Sequence, residues 1–96
     1  MRRLYIVAYD ISDPKRLRRV FKTLKGYGEH LQLSVFRCDL SDSQRLRLAA
    51  KLGATIEHAE DQVMFVDLGP SEGRSHAIAY VGRPGPSSET RGPKVF

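Results

Sequence analysis

The sequence predicts a small two-layer sandwich of α and β elements, with two helices packed on one face of a single sheet. Three observations lead there. Apolar, β-rich runs alternate with two helix-length segments along the chain. Each helical segment opens on a recognisable N-cap pattern. The chain has 96 residues, room for one core, and its 41% hydrophobic and 28% charged residues are a globular balance.

Leu4-Tyr-Ile-Val-Ala-Tyr9 is apolar at both parities, which predicts a strand covered on both faces. Asp13-Pro14 then opens a helix, with Ser12 or Asp13 as N-cap and proline in the first turn. Leu17, Val20, Phe21 and Leu24 follow at i, i+3, i+4 and i+7, an apolar stripe, and Gly26 and Gly28 end the helix. Leu31 to Leu40 is a second β segment. Leu31, Leu33 and Val35 share one parity, and Gln32, Ser34, Phe36 and Cys38 the other. It reads either as one long strand or as two short ones broken near Ser34. Ser41-Asp-Ser-Gln44 is a capping-box pattern, and a helix runs on through Leu46, Ala49, Ala50 and Leu52 to a stop at Gly53. Val63 to Leu68, again apolar at both parities, is a third β segment, and Ala77 to Val81 a fourth. Residues 82–93 are rich in Gly, Pro, Ser and Arg, so the chain divides into one domain over 1–82 and a flexible tail over 83–96.

In such a sandwich one sheet face stays bare. Two strands apolar on both sides would make that face greasy, which soluble monomers avoid, so a homodimer is expected to cover it. No apolar run reaches the roughly 20 residues of a membrane span, and no membrane role is expected. The lone Cys38 excludes an internal disulfide and a cysteine-based zinc site, and fits a reducing, cytoplasmic setting.

The net charge of +5 is unevenly spread. Residues 1–48 hold 11 basic and 5 acidic side chains, and residues 49–96 hold 5 and 6. Lys15, Arg16, Arg18, Arg19, Lys22 and Lys25 crowd the face of the first helix opposite its apolar stripe, with no acid between Pro14 and Gly28. Like charges at i+3 and i+4 repel, so this face reads as a solvated surface or as one that meets a polyanion such as DNA or RNA.

Asp10 ends the first apolar run, just before the turn into the helix. A carboxylate there projects from the sheet rim, where ligands bind in open sheets, and its hard oxygens suit Mg²⁺. On position alone, a turn aspartate is the simpler reading. Asp13 reads as a cap. His30, His58 and His76 lack metal-pair spacing, and neither a phosphate-binding P-loop nor a dinucleotide fingerprint is present. Lys25-Gly-Tyr-Gly28 begins like an RNA-recognition motif but fails at the next four residues. Glu57, His58, Glu60 and Asp61 read as a solvated loop.

The run Tyr5-Ile-Val-Ala-Tyr-Asp-Ile-Ser-Asp13, the basic helix, and Gly28-Glu-His-Leu-Gln-Leu-Ser-Val-Phe-Arg-Cys-Asp-Leu40 together resemble the CRISPR-associated protein 2 family, small nucleases of the CRISPR adaptation complex. The likeness covers about residues 3–68, and Gln32 to Phe36 is its most distinctive stretch. It implies an α+β, ferredoxin-like βαββαβ fold with an extra C-terminal strand. It also implies a homodimer in which that strand, here about 76–81, joins the partner's sheet. The implied activity is Mg²⁺-dependent endonucleolytic hydrolysis of RNA or double-stranded DNA, with a second role bridging integrase subunits during spacer capture. Asp10 matches the family's metal-binding, catalytic aspartate, so that two copies would face each other across one Mg²⁺. Tyr9, Ser34 and Phe36 match positions flanking that site. Arg16, Arg18 and Arg19 all compete for the family's first-helix arginines, and with Lys22 they are the candidate nucleic-acid contacts. A non-catalytic nucleic-acid scaffold and a toxin-like ribonuclease on the same fold are the alternatives.

Overall fold

The computed structural model describes residues 1–72 and 78–85. Its elements are β1 (Arg2–Asp10), α1 (Pro14–Lys25), β2 (Gly28–Gln32), β3 (Val35–Ser41), α2 (Asp42–Thr55) and β4 (Gln62–Pro70). The sheet order is β2-β3-β1-β4, with every neighbouring pair antiparallel. That βαββαβ order and strand arrangement define a ferredoxin-like, α+β sandwich, the two-layer form read from the residues and the topology implied by the resemblance.

β1 lies inside the sheet, which explains its two apolar faces. Tyr5, Val7 and Tyr9 point toward the helices. They form the core with Phe36, Cys38 and Leu40 of β3, Val20 and Leu24 of α1, and Leu48 and Leu52 of α2. Ile6 and Ala8 point the other way. Cross-strand partners share a face, so Val66 and Met64 of β4 and Arg37 and Val35 of β3 join them on the open side. Met64 is 50% and Val66 39% exposed.

α1 starts where its cap places it. Asp13 accepts backbone hydrogen bonds from Lys15 and Arg16, each at 3.0 Å. Of the apolar stripe, Val20 and Leu24 are fully buried and Phe21 partly. Leu17 is exposed, because the first turn of α1 faces a groove rather than the core.

The long second β segment is two strands. The break is at Leu33-Ser34, where Leu33 takes a left-handed backbone with φ 36°. His30 Nε2 hydrogen-bonds the Leu33 carbonyl at 2.8 Å and holds this turn. β2 starts at Gly28, not at Leu31. A Cβ on Gly28 would sit 2.5 Å from both the Arg37 carbonyl oxygen and Cys38 Sγ, so this glycine opens a strand instead of merely ending a helix.

The capping box is formed: Gln44 N–H donates to Ser41 Oγ at 3.2 Å and Ser41 N–H to Gln44 Oε1 at 2.9 Å. The helix then passes through Gly53 to Thr55, against the sequence expectation. Burial of Leu52 carries the last turn, Thr55 Oγ1 returns a hydrogen bond to the Lys51 carbonyl, and His58 Nε2 meets the Gly53 carbonyl at 2.8 Å. Together these offset the roughly 1 kcal/mol a helical glycine costs.

The predicted Ala77–Val81 strand is corrected in part. Ala77 lies outside the described residues, and 78–81 stand outside the four-stranded sheet. Apolar spacing suggested that strand, but a strand exists only through its ladder. Residues 86–96 of the expected tail also lie outside the described part.

Candidate functional site

Asp10 is the last residue of β1, is exposed, and pairs across the sheet with Gln62, the first residue of β4. It shares its parity with Ile6 and Ala8, so it sits at the rim of the open apolar face.

The loop that follows is fixed from an unexpected side. Asp61, read from the sequence as part of a solvated acidic loop, has a side chain with 0% exposure. One oxygen accepts from Ser12 N–H at 3.0 Å and from Ser12 Oγ at 3.2 Å. The other accepts from Arg16 Nε at 2.7 Å and Glu57 N–H at 2.9 Å. Arg16 Nη2 reaches Glu60 at 3.2 Å as well. The Arg16 guanidinium holds the Asp61 carboxyl well below the usual carboxylate range, helped by the two backbone amides. Asp61 thus ties the start of β4 and the α2–β4 loop to the turn after Asp10. Sequence spacing hid this contact. The antiparallel pairing of β1 and β4 is the signal that reveals it, because it sets the entry of β4 beside the exit of β1.

The basic helix therefore has two parts. Arg16 is 23% exposed and turned into the Asp61 network. Lys15, Arg18, Arg19 and Lys22 are exposed and line one recess on the outer face of α1.

The flanking candidates divide across the sheet. Phe36 is fully buried, with its ring 5.5 Å from Phe21, 5.0 Å from His30 and 6.3 Å from Tyr9. It is core, on the opposite face from Asp10, and open neither to metal nor to substrate. Tyr9 is largely buried on that same face, and burial pushes its hydroxyl pKa up. Its N–H donates to the Ser34 carbonyl at 3.1 Å, which sets Ser34 in the β2–β3 turn opposite the strand end that carries Asp10.

Among the described residues, no group of three or more His, Cys, Asp or Glu side chains gathers where an ion could sit. Asp10 offers the hard oxygen chemistry Mg²⁺ takes, and that ion retains waters and accepts phosphate oxygens. The donor type fits. Asp10 is a single such donor, so an ion held there would need its remaining ligands from outside this carboxylate.

The fold and site define a class: a small ferredoxin-like α+β domain with an exposed rim carboxylate and a cationic helix face. Comparison with known proteins makes this narrower. The profile of the family described as CRISPR associated protein Cas2 matches residues 1–74. A Rhodospirillum rubrum protein named CRISPR-associated endoribonuclease Cas2 1 is 49% identical over 79 residues, 82% of this chain and 78% of the relative. A CRISPR-associated endoribonuclease Cas2 of Geobacter sulfurreducens is 43% identical, over 86% of this chain and 87% of its own. Among solved structures, Streptococcus pyogenes Cas2 superposes with a TM-score of 0.65 at 32% identity, over 69% of this chain and 86% of that one. A hypothetical protein of Thermus thermophilus reaches 0.72 at 32% identity, over 91% and 98%. The chain belongs to the Cas2 family of CRISPR-associated proteins. Also, no helix among the described residues is long and apolar enough to cross a membrane.

Proposed function

We propose that this protein is a CRISPR-associated endonuclease that hydrolyses phosphodiester bonds of RNA or double-stranded DNA as a homodimer, and that the dimer also bridges integrase subunits. The observation that carries the reading is the exposed carboxylate of Asp10 at the rim of the open apolar face. A second copy covering that face would bring its own Asp10 to the same rim. Relatives named endoribonucleases support the chemistry and favour RNA.

Asp10 from each chain would hold one Mg²⁺. The chemistry such an ion would supply there is polarisation of the scissile phosphate and a lowered pKa for a water. The chain's own residues bind and orient. Lys15, Arg18, Arg19 and Lys22 take the phosphate backbone without reading sequence. The Asp61 network anchors Ser12 and Arg16, and with them the backbone of the turn that follows Asp10. The Ser34 hydroxyl, in the turn opposite that strand end, is a donor for a phosphate oxygen.

Asp10→Asn preserves size and removes the charge. Cleavage of labelled RNA by identically purified wild-type and variant protein, with Mg²⁺ and with EDTA, tests the reading. The expected loss is about a hundredfold or more, for a metal supplying several kcal/mol of transition-state stabilisation. Strong Mg²⁺-dependent cleavage by the variant would mean that Asp10 is not the ligand. Equal residual cleavage in both proteins would favour the non-catalytic scaffold, a reading that the single carboxylate per chain also suits.

A further inference from the structure

A groove of about 780 Å³ lies between α1 and the β2–β3 turn, on the helix side of the sheet. Its apolar wall is Tyr9, Leu17, Phe21 and Leu33, and Arg18 and Lys22 stand along it. Ser34 completes the lining. The same two cations also line the recess with Lys15 and Arg19, so an apolar cleft opens directly onto a cationic one.

The lip of this groove is held in place against its intrinsic preferences. Leu33 is 86% exposed and has a positive φ, a conformation that a leucine rarely adopts. The His30 bond to its carbonyl fixes it from below, and the His30 ring packs edge-on against Phe21 at 4.9 Å. A large apolar side chain is thus presented to solvent from a strained, buttressed turn. Strain of this kind gathers at ligand clamps.

We propose that this groove holds one unpaired base of a single-stranded nucleic acid, with the flanking phosphates on Arg18 and Lys22. A base has an apolar face that any aromatic or aliphatic wall accepts, and a phosphate follows on each side. A duplex keeps its bases paired and stacked, so it offers the groove nothing but backbone. Phe36, fully buried, takes no part, and the wall of exposed Leu17 and Leu33 with half-buried Phe21 does the work a base platform needs. Tyr9 lines the groove and Asp10 follows it in the chain on the other face. Successive residues of a strand point to opposite faces, so the groove and the Asp10 carboxylate are separate features on the two sides of the sheet. This site rests on the nucleic-acid-acting reading above and adds to it where an unpaired nucleotide is gripped.

The test is binding to the full-length protein in EDTA, read by fluorescence anisotropy, so that no cleavage enters. The probes are a short labelled oligouridine strand and an RNA duplex of the same length. The variant Leu17→Gln/Leu33→Asn strips the apolar lip. Glutamine keeps helix propensity, and asparagine suits a left-handed backbone better than leucine, so folding is preserved. Single-strand affinity is expected to fall about tenfold, the loss of one stacked base, with duplex affinity unchanged. Equal single-strand affinity for wild type and variant overturns the site, as does an equal loss on both probes. Wild-type protein that binds neither probe overturns the nucleic-acid reading together with it. Selective single-strand loss in a protein that never cleaves with Mg²⁺ sustains the groove and removes only the nuclease.

Discussion

Asp61 shows how a residue's neighbours decide its role. Its carboxylate is enclosed by Arg16, Ser12 and the Glu57 amide, so changing it to a carboxamide removes the charge facing Arg16 and turns an amino group toward one set of these donors. Asp61→Asn is expected to lower the melting temperature by several degrees at neutral pH, and calorimetry checks it. The pH dependence has a definite sign. Asp61, Asp13 and Asp67 are all held below the usual carboxylate range: Asp61 chiefly by Arg16, Asp13 by the Arg16 amide, and Asp67 by the Gly69 amide and then Arg3. In the unfolded chain they return to about 4. On acidification the unfolded state takes up protons first. Their contribution is complete above about pH 4 and is lost as pH falls below it. Asp61→Asn has already lost its share, so its stability is expected to fall less steeply between neutral and acid pH than that of wild type. Cys38 is a second residue-scale case. It is fully buried, and burial pushes its thiol up to about 11, so native protein should resist thiol-directed labels at pH 8 and react once unfolded.

At the scale of elements, the basic helix and the β2–β3 hairpin carry the predictions. With Arg16 turned into the Asp61 network, Lys15, Arg18, Arg19 and Lys22 are the helix cations that the proposed function assigns to the phosphate backbone. Reversing Arg18, Arg19 and Lys22 to Glu is expected to cut the salt dependence of duplex binding by a slope of about 3, roughly one for each phosphate no longer neutralised. An unchanged slope in filter-binding titrations would make this only a solvated face. Gly28→Ala forces a Cβ into the Arg37 carbonyl and Cys38 Sγ, and it should destabilise the hairpin even though alanine is otherwise a mild change. The sequence showed both helices and their N-terminal capping patterns because these are local signals of spacing and side-chain chemistry, and it left open whether the long β segment breaks near Ser34. It misplaced the end of α2, since the His58 side chain that supports Gly53 comes from beyond the helix. It misread Asp61 for the same reason: the partners Ser12 and Arg16 are some 45 or more residues away in the chain and meet it only through the sheet. Phe36 entered only as a site-flanking position of the resemblance, because one parity of a strand reads alike whichever face it turns to.

At the scale of the whole molecule, the question is what covers the sheet face of Ile6, Ala8, Met64 and Val66. In the proposed function, a second copy would cover the face and bring a second carboxylate to its rim. Sedimentation at micromolar concentration should give a species of about twice the 10.8 kDa chain mass, and Met64→Lys with Val66→Lys should shift it toward the monomer. The central claim is that one metal site is shared by two chains through Asp10. Metal binding followed by titration calorimetry tests it most directly, with the oligomer mass measured in the same samples. The expected result is one Mg²⁺ per two chains in the wild type and no binding at that site in Asp10→Asn, with both proteins still dimeric. One ion for every chain, or binding that survives the substitution, would contradict it.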